Sequence, residues 1–200
     1  MSSPTEHAKS VFNKHGGTLR TREALAAGIH PRTLYAMRDT GDLDQTGRGL
    51  FRLAGMPPLS EPDLITVAKK VPQGVFCLIT ALAFHQLTTQ IPHEVQLALP
   101  RTARHPRLDY PPIQAFRFST DSFGAGVETH QIDGVSVRVY SAEKTLADAF
   151  KYRNKIGLDV AIEALRNYRD RRKPQFQKVL EFARICLVER VIRPYLEASL

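Results

Sequence analysis

At 200 residues, 42% of them hydrophobic, the chain is globular and can hold one large domain or two small ones with apolar cores. Its 28 Lys and Arg against 20 Asp and Glu give a net charge of +8, a balance suited to a polyanionic partner such as nucleic acid. Cys77 and Cys186 belong to no CxxC pair, which speaks against a disulfide framework or zinc site, and no apolar run has the length of a membrane span or the form of a signal core, so a cytoplasmic location without a membrane partner is expected.

The charge is unevenly placed. Residues 1–58 carry eight basic and five acidic side chains (+3), residues 59–143 seven and eight (−1), and residues 144–200 thirteen and seven (+6). Two positive ends thus flank a near-neutral middle that reads as structural.

In chain order, Ala8, Val11 and Phe12 recur at helical spacing and predict an amphipathic helix over Pro4 to about Asn13, ended by Gly16 and Gly17. Thr18 to Arg20 can form a short strand. Thr21 as N-cap, with Glu23 in the first turn, starts a short helix that Gly28 stops. Pro31, tolerated at a first helical position, starts another that runs to about Thr40. Leu34 and Met37 share one face of it, leaving Arg32, Thr33, Ala36 and Arg38 outward and Tyr35 at the boundary. Two short strands, Leu43–Gln45 and Leu50–Leu53, flank a turn in which Arg48 stands between Gly47 and Gly49.

Helix, turn, proline-started helix and basic-tipped hairpin in this order predict a winged helix-turn-helix, its second helix entering a major groove. The candidate DNA contacts are Arg20, Arg22, Arg32, Thr33, Tyr35, Arg38 and Arg48, with Arg32 expected to specify and Arg48 to grip. The competing reading is a helical hairpin for protein contact, with Arg48 in a solvated loop.

Gly55-Met56-Pro57-Pro58 reads as a stiff linker between a DNA-binding domain over residues 1–55 and a second domain over 59–200. Ser60, Pro62 and Asp63 mark a helix start, with the helix carried to about Lys70, and Phe76 to Leu87 reads as a buried helix. Strands are expected at Glu94–Leu99, Ile113–Phe118, Gly126–Ile132 and Val135–Tyr140, the last two joined by an Asp133-Gly134 turn, as a small, mainly antiparallel sheet. Ser141 caps a helix to about Arg153. Helices from Leu158, from Phe176 and over Ile185–Leu196, the last bent or ended at Pro194, close a C-terminal helical bundle, so the fold class is α+β.

No enzyme is expected. Ser141-Ala142-Glu143-Lys144 matches S-x-x-K, but no SDN or KTG element accompanies it, and a capping serine before a solvated lysine explains the same residues. The histidines form no HExxH pair, and His85 reads as a hydrogen-bonded core residue. No glycine-rich phosphate loop is present, so no cofactor or metal is predicted. Two basic runs remain. Lys151, Tyr152, Arg153, Asn154 and Lys155 end one helix, as dipole-compensating cations or as an anion or partner site. Arg166, Arg169, Arg171, Arg172 and Lys173 lie between helices, as a solvated face or as a second anionic or acidic-partner surface.

EKTLADAFKYRNKIGLDVAIEALR from Glu143 to Arg166, IPHEVQLALPR from Ile91 to Arg101 and VRVYS from Val137 to Ser141, with the N-terminal winged helix-turn-helix, resemble the AbiEi antitoxins of bacterial abortive-infection toxin-antitoxin systems. That resemblance implies a phage-defence protein of the type IV class. Its first domain would bind inverted repeats in the promoter of its own operon and repress it. Its second would counter a co-encoded nucleotidyltransferase-like toxin without needing a stable complex. The DNA role then falls on Arg20, Arg22, Arg32, Thr33, Arg38 and Arg48, and the antitoxin surface on Lys144, Lys151, Tyr152, Arg153, Asn154 and Lys155. The rival is an ordinary repressor whose second domain senses a small ligand.

Overall fold

The computed structural model describes residues 3–198, which form two compact units. One takes the described residues up to Pro72 together with Gln131–Val137; the other takes Gln73–His130 and the chain from Arg138 onward. The helix after the proline pair therefore groups with the first unit, whereas the sequence alone opens a new domain at residue 59.

In the first unit, α1 (Pro4–Lys14) starts at a capping box in which the Ser3 hydroxyl accepts from the Glu6 N–H and the Glu6 carboxylate accepts from the Ser3 N–H. Next come β1 (Thr18–Arg20), α2 (Thr21–Ala26), α3 (Pro31–Asp39), β2 (Leu43–Gly47) and β3 (Leu50–Leu53). The strands make a three-stranded antiparallel sheet in the order β1-β3-β2. Ala8 and Phe12 of α1, Leu19, Leu34, Met37, Leu43 and Phe51 close one apolar core, so each amphipathic face predicted from spacing is spent on the same cluster. In α4 (Pro62–Lys70) the N-cap is Glu61, without a side-chain cap bond. Ser60 is not the cap; its N–H and hydroxyl donate instead to Asp133 Oδ2 at 2.7 and 3.0 Å.

The second unit holds β4 (Val75–Phe76), α5 (Leu78–Phe84), β5 (Val95–Pro100), β6 (Ile113–Phe118) and α6 (Thr120–Gly124). The hairpin β7 (Val127–Ile132) and β8 (Val135–Tyr140), whose tip over Gln131–Val137 is counted with the first unit, follows, then α7 (Ala142–Lys151), α8 (Arg153–Ile156), α9 (Leu158–Arg169), α10 (Phe176–Ile185) and α11 (Glu189–Glu197). The sheet order is β6-β5-β4-β8-β7. It is mixed, not mainly antiparallel, because β5 with β6 and β4 with β8 run parallel while β4 with β5 runs antiparallel. Side-chain alternation specifies a strand's two faces and leaves its direction open; the connection over residues 101–112 is long enough to return the chain for a parallel pairing. The predicted buried helix from Phe76 also needs correction. Phe76 is strand, paired with Leu97 and Val139, and the helix begins at Leu78; a dense apolar run does not distinguish a central strand from a buried helix.

At the predicted turn Asp133 and Gly134 both take positive φ, 47° and 76°, the geometry a two-residue hairpin requires. α7 packs against α5, α9, α10 and α11, and every residue from Lys144 to Phe150 is buried. Pro194 lies inside α11, which continues to Glu197. Among the described residues no helix is long and apolar enough to cross a membrane, and both cysteines are buried free thiols.

Gly126 sits where α7 begins, with φ +69° and its carbonyl accepting the Ser141 N–H at 2.7 Å. A Cβ there would stand 2.7 Å from Lys144 Cβ. Gly126→Ala is expected to destabilise the protein by about 1–3 kcal/mol in urea unfolding; an unchanged midpoint would contradict this packing.

Candidate nucleic-acid interface

α3 begins because His30 caps it. The imidazole Nδ1 accepts the Arg32 N–H at 3.2 Å, and Pro31 occupies the position where a missing donor does no harm. Burial of Leu34 and Met37 then turns Arg32, Tyr35, Ala36 and Arg38 to solvent, with Thr33 half-buried. Tyr35, 41% exposed, meets Phe51 of β3 edge-on, with ring centroids 6.1 Å apart. The Arg38 guanidinium lies over the Tyr35 ring at 5.2 Å and donates from Nε and Nη2 to Asp39 Oδ1 at 2.8 and 2.6 Å.

α2 starts one residue earlier than predicted. Arg20 is its N-cap, with its N–H donated to Glu23 Oε2 at 2.9 Å, and Thr21 is the first helical residue. Thr21 is needed elsewhere: its N–H donates to the Gly49 carbonyl at 3.0 Å and its hydroxyl to the same oxygen at 3.4 Å. That pin brings the β2–β3 turn, with exposed Arg48, to the start of α2, beside half-buried Arg20 and exposed Arg22. Lys69 pairs with Glu23 at 3.4 Å and Lys70 donates to the Arg48 carbonyl, so α4 adds two cations around the same turn. Among the described residues Arg20, Arg22, Arg32 and Arg48 form no ion pair with a carboxylate. The structure thus gathers Arg20, Arg22 and Arg48 at one place and Arg32, Tyr35 and Arg38 along α3.

Sequence reasoning passed over Asp39, Lys69 and Lys70. Asp39 carried a signal, since it follows Arg38 directly and lies one turn after Tyr35. The lysines carried none, because tertiary folding alone brings them to α2 and the hairpin.

In the second unit, the Ser141 hydroxyl accepts the Lys144 N–H at 3.2 Å, a helix cap. Lys144 is not solvated and does not belong to any surface: its side chain and that of Asp148 are both 0% exposed, with Nζ 2.6 Å from Asp148 Oδ2. Every α7 residue from Lys144 to Phe150 is buried, so the pair lies inside the unit. The ammonium instead lies 4.3 Å from the centre of the Tyr140 ring and 4.9 Å from that of Phe118, and Asp148 Oδ1 accepts from Cys186 Sγ at 3.3 Å. Burial pushes the Asp148 carboxyl above its usual range despite the adjacent ammonium, and it raises both thiols as well.

Lys151, Asn154 and Lys155 are exposed, with Tyr152 and Arg153 half-buried between them. Tyr152 stacks on Phe118 at 5.6 Å, and burial pushes its hydroxyl up to about 12. Arg153 donates to the Phe150 carbonyl at 2.9 Å and closes α7, and Lys155 lies 5.7 Å from the Phe116 ring. His85 accepts its expected role: Nε2 bonds the Tyr140 carbonyl at 2.7 Å, and burial lowers its pKa.

Asp148→Ala leaves a buried ammonium without its partner and is expected to destabilise by about 3–5 kcal/mol, whereas the paired replacement Lys144→Met with Asp148→Leu should be less damaging than either single change. Denaturant unfolding checks this. A single-variant loss below about 1 kcal/mol, the range of exposed pairs, would contradict the enclosure of α7.

Residues 8–54 match the family model described as transcriptional regulator, AbiEi antitoxin. No curated protein sequence matches the chain. In fold, the chain is similar to the crystal structure of the RV2827C protein from Mycobacterium tuberculosis, with a TM-score of 0.53 and 13% identity over 100% of this chain and 82% of that one. The matched segment opens within α1 and ends just past β3, so it contains every candidate DNA-contacting residue of α2, α3 and the hairpin. That match over residues 8–54 supports the resemblance to the AbiEi antitoxin transcriptional regulators drawn from the sequence.

Proposed function

We propose that this chain is a cytoplasmic, autoregulating antitoxin that represses its own operon through a winged helix-turn-helix and, with its second unit, counters a co-encoded nucleotidyltransferase-like toxin. The observation that carries the DNA role is the exposed arginine set of α2, α3 and the hairpin inside the segment that matches a regulator family. α3 enters the major groove, Arg32 contacts base edges, and Thr33 and Tyr35 flank it. Arg20 and Arg22 neutralise phosphates, and Arg48, freed by flanking glycines to approach closely, grips backbone or minor groove. Two protomers occupy an inverted repeat, one per half-site. The protein acts by binding and performs no catalysis. The antitoxin role falls on the run Lys151, Tyr152, Arg153, Asn154 and Lys155, where exposed lysines and a half-buried aromatic ring fit an anionic group, and it requires no stable complex with the toxin.

The test uses full-length variants beside a toxin under an independent promoter and a reporter under the native promoter. Arg32→Ala with Arg48→Ala should release the reporter and still rescue growth, while Lys151→Ala with Lys155→Ala should keep repression and lose rescue. Failure of the unaltered chain both to repress and to rescue would contradict the reading. In binding assays Arg32→Ala should lose about 1–3 kcal/mol on the operator and relax one base pair. Arg48→Ala should weaken all duplexes alike and flatten the salt slope by about one unit. Equal losses on operator and random DNA for Arg32→Ala would reject its specifying role.

A further inference from the structure

We propose that Asp39 is a specificity-determining residue that holds Arg38 in a pose preset to read a guanine, an inference that rests on the DNA-binding reading above. The helical period places the two residues differently. At about 100° per residue, Asp39 lies within about 20° of Arg32 on the outward face, whereas Arg38 lies about 120° away on the flank. Left free, the Arg38 side chain would sweep the flank. Instead its guanidinium is drawn to the outward face by two contacts, the Asp39 carboxylate and the Tyr35 ring, and Tyr35 is itself set by the buried Phe51.

The hydrogen-bond pattern leaves a particular edge available. Asp39 Oδ1 takes the Nε–H and one Nη2 hydrogen at 2.8 and 2.6 Å. The end of the guanidinium, with parallel N–H groups on Nη1 and Nη2, makes no further hydrogen bond among the described residues, and that fork matches O6 and N7 of guanine in the major groove.

Stability does not explain Asp39. Its side chain is 64% exposed and its partner's 39%, a setting in which ion pairs contribute little. It is the last residue of α3, where the helix dipole disfavours an anion, and it lies on a face that would approach phosphates. Both conditions oppose a carboxylate at this position, and fixing Arg38 gives it a use. The same negative charge also penalises complexes in which Arg38 finds no guanine, because the carboxylate then approaches the polyanion without compensation.

The experiment incubates the full-length chain with a duplex pool randomised over about two helical turns, sequences the bound fraction, and compares binding of the enriched duplex with that of a random duplex at one salt concentration. The unaltered chain should enrich a G·C pair that both Arg38→Ala and Asp39→Ala lose. For Asp39→Ala the ratio of enriched to random affinity should fall about tenfold, within the range of one bidentate guanine contact, while random-duplex affinity holds or rises. The double variant should be no worse than Arg38→Ala. Loss of a charge at the end of α3 leaves the core untouched, and the thermal midpoint should not fall. An undiminished ratio for Asp39→Ala, or loss of the G·C pair in Arg38→Ala alone, would overturn the role of Asp39 while leaving DNA binding intact. Enrichment of no sequence by the unaltered chain would instead overturn the DNA-binding reading and this inference together.

Discussion

Burial of Leu34 and Met37 is the constraint on which the candidate interface depends. These two side chains, on one face of α3, close the core formed by Phe12, Leu19, Leu43 and Phe51 and leave the helix a single rotational setting. Arg32, Tyr35 and Arg38 face solvent because that setting leaves them nowhere else to go. The hairpin is fixed by separate means: β3 pairs with β1, and Thr21 donates to Gly49. The arginines near α2 and the hairpin turn are therefore held by backbone bonds, and the α3 set by apolar packing and the Tyr35–Phe51 ring contact.

The second unit has its own organising element. α7 is enclosed by α5, α9, α10 and α11, and it carries an ion pair in place of another apolar contact. A buried Lys144–Asp148 pair is weak evidence for stability, since an apolar pair of similar volume is often as good. Its geometry does select one arrangement: the carboxylate must accept from both Lys144 and Cys186, and the ammonium must lie against Tyr140 and Phe118. Tyr152 continues that ring stack from Phe118 toward the exposed Lys155, so the basic run after α7 is attached to the most constrained part of the unit.

Local features were readable where spacing and turn chemistry act within one turn or one hairpin. Pro31 after His30, Gly49 after Arg48, and Asp133-Gly134 each require a particular backbone, and each appears as expected. The parts that were not readable depend on what the chain meets at a distance. Phe76 became strand because Leu97 and Val139 flank it, and Lys144 became buried because four helices converge on α7. Thr21 donates to a carbonyl 28 residues away instead of capping α2, and Ser60 to a carboxylate 73 residues away. For the candidate site, exposure of Arg32 and Arg38 followed from periodicity and that of Arg48 from its glycine-flanked turn, while the Asp39 fork and the cations of α4 required tertiary structure.

The most direct test of the central claim is footprinting of the DNA immediately upstream of this chain's own coding region by the full-length protein at physiological salt. Two protected half-sites related as an inverted repeat are expected, their centres about one helical turn or a small multiple of it apart, with guanine contacts in the major groove. Protection no stronger than on unrelated duplex at the same salt would contradict it.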